Sequence, residues 1–509
     1  MLSRRDLRLA FALYLLCAGV YAATAAGRLR GPSTDTHFVY MADTWLHRRL
    51  DLGRSPPHSN DWAEVEHLTL RDGTQLAGGF QRHSPGRFRL LGGGVRSIDE
   101  TTIVKRDKRY YVSFPPLPAA LLLPLVAIFK HRTNDVLFTV LLAGLIPALF
   151  FLLLRRLPSL LPPVHPEPVV GPLPVHPELV EGRVVVRQAH HERRGGNERE
   201  RDQAERLSLR RDLWLTGLLA FGTVLYFSAV LGQVWYTAHV VSLVLAGLFF
   251  HASIGARHPA LAGLTLGALM LTRPQMVFLG TFYLFEAARG ARADGRYPLW
   301  PPLKVDRPWL LLRPLLQAAP TFLVLALVGF AYNYARFRNP FEFGHSYLTT
   351  IQADNIHRYG LFNYHYLSRN LAAAFTLLPR LLPRPPYLQI SYHGLSLLVT
   401  TPVLAYLLWP EVPRGSQAAG LRRVLWLSIL PVAAFSFLYQ NDGYIQFGFR
   451  FSLDYLLPLL LVLAIGSPRA VLTRRFQVLV LVGVVVNLFG AITFGRAWQF
   501  YFNEFFPAQ

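Results

Sequence analysis

Long apolar stretches alternate with short polar loops along most of the chain. Runs of roughly 17–25 apolar residues cross a bilayer as a helix, and such runs occupy residues 8–26, 135–154, 213–231, 239–256, 314–334, 394–409, 424–438, 452–467 and 476–494. The apolar stretch 259–288 is too long for one span, so we predict two short helices that meet at Thr272–Pro274. The proline-rich run 115–130 predicts a partial or re-entrant helix. An all-α polytopic membrane protein with about eleven to thirteen crossings is expected.

The loops between these runs differ in charge. An excess of arginine marks cytoplasmic loops, which predicts that residues 256–258, 288–313, 411–423 and 467–475 lie inside. The same assignment places the loops 27–114, 335–393 and 439–451 outside.

The first external loop, residues 27–114, contains two kinds of pattern. Within Gly31–Leu52, apolar Phe38, Met41 and Trp45 recur at helical spacing, which predicts a juxtamembrane helix. Its cap is expected among Ser33, Thr34 and Asp35. The stretches 66–80 and 101–114 each show two short runs about a turn, which predicts β-hairpins. This loop is therefore predicted to form a small extracytoplasmic α/β subdomain.

Residues 155–212 form an insert of a different composition. "VHPEPVV" recurs as "VHPELVE", and a tract rich in Arg and Glu follows. Proline-rich and charge-rich segments with few apolar residues do not build a core, so this insert is predicted to be disordered. It separates an N-terminal transmembrane part, 1–154, from the remaining transmembrane bundle, 213–509.

Composition agrees with a membrane protein: 52% of the 509 residues are apolar, only 16% are charged, and the mean hydropathy is +0.28. The net charge of +22 comes almost entirely from arginines in loops, so topology explains it better than nucleic-acid binding. The single cysteine, Cys17, excludes a disulfide framework. The scarcity of lysine beside arginine suggests a GC-rich bacterial gene, and hence the inner membrane.

Polar side chains at span ends are costly, and each is therefore a candidate for function. Arg273 interrupts an apolar stretch and precedes Pro274, which favours an anion site over a topological anchor or a partner for a buried carboxylate. Arg450 and Asp454 are four residues apart on one helix face, which also predicts an internal ion pair. The remaining candidates fall on the same predicted side of the membrane and are His37, Tyr40, Asp43, His239, Glu342, His393, Asp442 and Gln446.

A carboxylate at the membrane surface that faces arginines fits a transfer reaction on a lipid-borne phosphate. The arginines stabilise the departing phosphate, and the carboxylate takes the proton of an attacking hydroxyl. Asp35 is the candidate for this carboxylate, and its alternative role is an N-cap worth about 0.5–2 kcal/mol.

Five segments in this order resemble the integral-membrane GT-C glycosyltransferases. The chain is most similar to bacterial relatives of the protein O-mannosyltransferases and aminoarabinose transferases, and so resembles glycosyltransferase family 39. The segments are "TDTHFVYMADTWLHRRLDL", "YYVSFPPLPAALLLPLVAIF", "GLTLGALMLTRPQMVFL", "RFRNPFEFGHSY" and "QFGFRFSLDYLLPLL". Two departures stand out: Thr36 replaces a second acid, and Phe114 replaces the histidine of a His-Pro-Pro motif.

The resemblance implies a GT-C-type bundle that uses a polyprenyl-phosphate-linked sugar donor at the extracytoplasmic face. The acceptor would be a lipid, a glycan or a protein, and membrane lipids are the other partners. Asp35 matches the family's base, Arg273 and Arg450 its phosphate contacts, and Asp454 would orient Arg450. No cofactor is firmly implied and no metal ligand is assigned, although a divalent metal stays open. The alternative function is a multi-pass transporter or flippase for a lipid-linked or small anionic substrate.

Overall fold

Helices make up most of the protein. The computed structural model describes residues 2–58, 60–81, 84–157, 185–297, 306–413 and 415–505, with the side chains of 185–201 and 351–352 left aside. The α-helices are α1 (Arg4–Ala25), α2 (His37–Leu46), α3 (Leu117–Phe129), α4 (Asp135–Arg156), α5 (Val185–Phe221), α6 (Leu225–Ala229), α7 (Val234–Ser253), α8 (Pro259–Met270), α9 (Gly280–Gly290), α10 (Pro308–Phe337), α11 (Ile351–Tyr359), α12 (Leu367–Phe375), α13 (Leu397–Thr400), α14 (Gln417–Leu438), α15 (Leu453–Gly466) and α16 (Arg474–Thr493).

Six helical segments of the described chain are long and apolar enough to cross a membrane. They are Arg4–Arg30, Asp135–Arg156, Val234–Ala256, Pro308–Phe337, Gln417–Leu438 and Arg474–Thr493. Several candidate spans in one mostly helical chain are the arrangement of a polytopic membrane protein, as the apolar runs predict.

Other apolar helices are too short to span alone. Helix α15 has 14 residues and α3 has 13, which corresponds to about 20 Å against a hydrocarbon core of about 30 Å. The predicted break near Arg273 is confirmed, because α8 ends at Met270 and a 3₁₀-helix, Pro274–Leu279, leads into α9. The prediction of single spans at 213–231 and 394–409 is wrong: α5 gives way to α6, and α13 gives way to the 3₁₀-helix Pro402–Leu408. In the second case Pro402 lacks the N–H that would continue the helix.

Helix α15 lies at the centre of the bundle, and every one of its residues is buried. It packs against α14 and α7. Elsewhere small residues bring helices close together. A Cβ on Gly263 of α8 would lie 2.0 Å from the carbonyl oxygen of Ala318 on α10, so glycine is required for this contact.

The predicted hairpin subdomain is confirmed as a five-stranded antiparallel sheet in the order β4-β3-β2-β1-β5. Its strands are β1 (Trp62–Leu70), β2 (Gln75–Phe80), β3 (Arg87–Leu90), β4 (Val95–Ser97) and β5 (Ile103–Val112). A second sheet contains β6 (Arg380–Leu381), β7 (Leu388–Ser391) and β8 (Tyr501–Phe502). Strand β5 leads directly into the turn before α3, so the first sheet sits on the same end of the bundle as α2.

Helix α2 confirms that a helix follows the first apolar run, but the predicted cap is wrong. The N-cap residue is Thr36, and no side chain caps the helix. Ser33 instead donates to the carboxylate of Asp135, from Oγ at 2.6 Å and from its backbone N at 2.7 Å. The apolar face of α2 packs on α3. Because the Asp35 side chain does not cap the helix, its carboxylate is available for other contacts.

The C-terminal part of the insert 155–212 lies in helix α5, which runs from Val185 to Phe221. The end of this segment is tied to two other helices. Arg155 donates to Asp212 at 3.2 Å and to Ser208 at 3.3 Å, and Arg5 pairs with Glu205 at 3.1 Å. Charged side chains stabilise a helix when they find such partners. Residues 158–184 lie outside the described chain.

Candidate functional site

Two cavities share one wall at the end of the bundle that carries α2 and the first sheet. The larger, about 530 Å³, is lined by Arg273 and several aromatic side chains. The second, about 460 Å³, is lined by Asp35 and Arg28. The residues that line both cavities are Asp61, Trp235, Asn441 and Arg450. Ligands in the two cavities would therefore contact the same four side chains.

Asp35 lies in the wall of the smaller cavity and is only 8% exposed. Its Oδ2 accepts hydrogen bonds from Thr34 Oγ1 and Gln233 Nε2, both at 2.7 Å, and Asn60 Nδ2 lies 3.3 Å from Oδ1. The backbone oxygen of Asp35 also accepts from Val234 N, the first residue of α7. These contacts hold the carboxylate against the cavity without a cationic partner in direct hydrogen-bond contact, which suits a group that receives a proton.

Arg450 is 3% exposed and forms no ion pair with any described carboxylate. Its Nη1 donates to the carbonyl oxygen of Ile445 at 3.0 Å, and its Nε has no hydrogen-bond partner in the described structure. The guanidinium carbon lies 5.5 to 5.8 Å from the ring centroids of Tyr236, Phe451 and Trp235. A buried cation with incomplete hydrogen bonding is costly, so an anion in either cavity would be bound favourably.

Arg273 is the partner of a buried carboxylate, which is the alternative that the sequence pattern ranks below an anion site. Its Nη2 and Nε donate to Asp454 at 2.7 and 3.0 Å, and Gln275 Nε2 and His239 Nδ1 contact the same carboxylate at 2.7 and 3.0 Å. The predicted ion pair of Arg450 with Asp454 is therefore wrong, because Asp454 is directed toward α7 and α8 and orients Arg273. The guanidinium of Arg273 remains partly exposed in the larger cavity.

The loop 439–451 is braced by a second polar cluster. Asp442 accepts from His393 Nδ1 at 2.8 Å and from Arg369 Nε at 2.7 Å. Burial alone would raise the pKa of Asp442, but the hydrogen bond and charge of His393 and the nearby Arg369 outweigh it and the pKa lies below its usual value. Gln446 donates to the backbone of this cluster and accepts from the backbone N of Arg450. These residues position Arg450 and do not line either cavity.

Four other predicted residues also lie away from the cavity walls. Asp43 is 3.4 Å from His131, against which Tyr40 packs. Glu342 accepts from the backbone N of Gly344 and Ser346 and so shapes its own turn. His37 is fully buried and stacks on Trp62, and burial lowers its pKa. None of these four side chains lines either cavity.

Several cavity residues are missed by the sequence reasoning. Asp61 has a positive φ of 54° and accepts from Trp235 Nε1 at 2.9 Å, which holds its carboxylate between the cavities. Gln233 carries no charge that singles it out, whereas Asn441 directly precedes the predicted candidate Asp442 at the outer end of a predicted span. Asp61 precedes a strand in an irregular stretch, where no periodic signal marks it.

Comparison with family models, with curated proteins and with solved structures gives no match for this chain. The geometry of the two cavities therefore carries the functional argument.

Proposed function

We propose that this chain is a glycosyltransferase that uses a polyprenyl-phosphate-linked sugar at the extracytoplasmic face, within a GT-C-type bundle of the bacterial inner membrane. The observation that carries the proposal is the position of Arg450. It is a buried cation with no ion-pair partner among the described residues, and it lies in the wall shared by two cavities, one of which holds Asp35 and the other Arg273.

The larger cavity suits the donor. Arg273 and Arg450 would bind its phosphate, and the lipid would lie along an aromatic wall that includes Phe278, Phe362 and Phe435. Asp454 holds Arg273 in place through a two-point contact, so little side-chain entropy is lost when phosphate binds.

The smaller cavity suits the acceptor. An acceptor hydroxyl beside Asp35 would attack the anomeric carbon from the side opposite the phosphate. The carbon–oxygen bond to the phosphate breaks, its electron pair stays on the phosphate, and Asp35 takes the hydroxyl proton. The two arginines stabilise the charge that builds on the leaving phosphate. A single displacement of this kind inverts the anomeric configuration.

The test is sugar transfer by purified protein from a panel of radiolabelled polyprenyl-phosphate monosaccharides, with total membrane glycolipids as acceptors. We expect Asp35→Asn to lower the transfer rate by about 10²–10⁴-fold, because that is the usual contribution of a general base. Asp107→Asn, which removes an exposed carboxylate on β5, is the matched control and should transfer at the wild-type rate.

Equal transfer by Asp35→Asn and wild type would remove Asp35 from catalysis. If the wild type consumes no donor in the panel, the proposal fails and transport or flipping of a lipid-linked or small anionic substrate becomes the better explanation.

A further inference from the structure

Three side chains beside the smaller cavity converge in a way that base catalysis alone does not explain. Asp35, His37 and His58 each offer one ligand atom, and these atoms all lie within 4.8 Å of one another. His58 Nε2 lies 3.9 Å from Asp35 Oδ1. Neither imidazole donates a hydrogen bond to the carboxylate, although all three groups are close together.

The hydrogen bonding of His37 prepares it to act as a ligand. Its Nε2 lies 2.8 Å from the carbonyl oxygen of Asn60 and must donate, since that oxygen only accepts. The lone pair is therefore on Nδ1, which has no hydrogen-bond partner in the described structure, although the side chain is completely buried. A ligating histidine usually donates its second N–H to a backbone carbonyl in this way.

His58 is held more loosely. Its Nε2 also lacks a hydrogen-bond partner, while its Nδ1 faces Asn60 N at 3.3 Å and Trp62 Nε1 at 3.5 Å. Coordination through Nε2 moves the imidazole proton to Nδ1 and gives up these two long contacts. Both are at the weak end of hydrogen-bond geometry, so their loss costs little beside a metal–nitrogen bond.

We propose that Asp35, His37 and His58 bind one divalent transition-metal ion of the Zn²⁺ type. Two neutral imidazoles and one carboxylate are the donor set of an open zinc site, whereas Mg²⁺ and Ca²⁺ prefer oxygen ligands. Ligand atoms around tetrahedral zinc are about 3.3 Å apart, so atoms that lie within 4.8 Å of one another here would approach by about 1.5 Å or less on binding. Asp35 lines the cavity in which the acceptor is proposed to lie, so an acceptor hydroxyl there would be the candidate for the fourth position.

A metal ion there would lower the pKa of an acceptor hydroxyl that occupies the fourth position, while Asp35 Oδ2 stays oriented by Thr34 and Gln233. This role in transfer rests on the proposed function, whereas metal binding itself does not. Asp35 would then serve both as ligand through Oδ1 and as proton acceptor through Oδ2.

The experiment measures binding of Zn²⁺ by calorimetry to the full chain in detergent after removal of bound metal with a chelator. Co²⁺ is the second probe, because its visible absorption reports tetrahedral nitrogen and oxygen ligands. We expect one Zn²⁺ per chain in the wild type, and binding at least 10–100-fold weaker in His58→Gln and in Asp35→Asn. His47→Gln is the matched control, since His47 is an exposed histidine at the end of α2 that pairs with Asp43.

His37→Gln is a third variant, but its buried ring packs on Trp62, so the partly exposed His58 carries the test. Absence of Zn²⁺ binding by the wild type overturns the site, as does binding that His58→Gln and Asp35→Asn leave unchanged. Sugar transfer that needs no metal, together with absent Zn²⁺ binding, would refute this inference and leave the proposed function standing. Specific Zn²⁺ binding without sugar transfer would support the metal site and refute the proposed function.

Discussion

Replacing Asp454 by asparagine tests whether the buried Arg273–Asp454 pair holds the centre of the bundle together. The carboxylate is 1% exposed and accepts hydrogen bonds from Arg273, His239 and Gln275. An asparagine oxygen of the same size accepts at most two of these, and the guanidinium loses its counter-charge. Removing one partner of a buried ion pair costs about 3–5 kcal/mol. We therefore expect Asp454→Asn to lower the free energy of unfolding by about 3 kcal/mol, which is about a hundredfold in the folding equilibrium.

The assay is equilibrium unfolding of the purified protein in detergent micelles with increasing SDS, followed by the fluorescence of its nine tryptophans. Arg273→Gln and the double variant Asp454→Asn/Arg273→Gln complete a double-mutant cycle. We expect the double variant to be destabilised by about 1–3 kcal/mol less than the sum of the single variants, because each single change leaves a buried group unpaired.

The matched control is the exposed ion pair between Arg5 and Glu205, at 3.1 Å. Glu205→Gln should cost less than about 1 kcal/mol, since solvent screens this pair. A cost below about 1 kcal/mol for Asp454→Asn, or additivity of the two changes within about 0.5 kcal/mol, would refute the reasoning.

Two further predictions concern the external loop and the helix packing. The pKa of Asp442 lies below its ordinary value, so its ion pair stabilises the fold above about pH 4 and is lost as the pH falls through that lower pKa. Asp442→Asn should therefore flatten this part of the stability–pH curve measured by thermal unfolding. An unchanged curve would contradict this prediction. Gly263→Ala should destabilise the protein by about 1–3 kcal/mol, because its Cβ would meet the backbone of Ala318, whereas Gly27→Ala, which has nothing within 4 Å, should have little effect in the same measurement.

The membrane character and the local elements follow from the sequence. The thickness of the hydrocarbon core sets the length of an apolar run, and backbone periodicity sets the spacing of side chains within it. For this reason helix α2, the hairpins before α3 and the helix break at Arg273 are predicted near their observed places. Proline and turn residues act on their immediate neighbours, so the signals that predict these elements are read from short windows.

The partners of the charged residues are decided only by the tertiary structure. Arg450 and Asp454 have the spacing of a helical ion pair, yet Asp454 bonds to Arg273, which is 181 residues away in sequence. The N-cap of α2 is misassigned for the same reason, since Ser33 finds Asp135 across the bundle. Local spacing determines which side chains are able to meet on one helix. It carries no information about a side chain on another helix that binds more strongly.

Some residues of the candidate site can be predicted from the sequence, and others only from the tertiary structure. Asp35, Arg273 and Arg450 stand out in the sequence because charge at a span end is costly and therefore conspicuous. Asp61 and His58 do not, because they lie in an irregular stretch before β1 where neither hydropathy nor periodicity gives a signal. Only folding brings that stretch against α2 and the start of α7. The charges that the membrane makes costly are thus visible in the sequence, and the contacts that turn them into a site come from packing between distant segments.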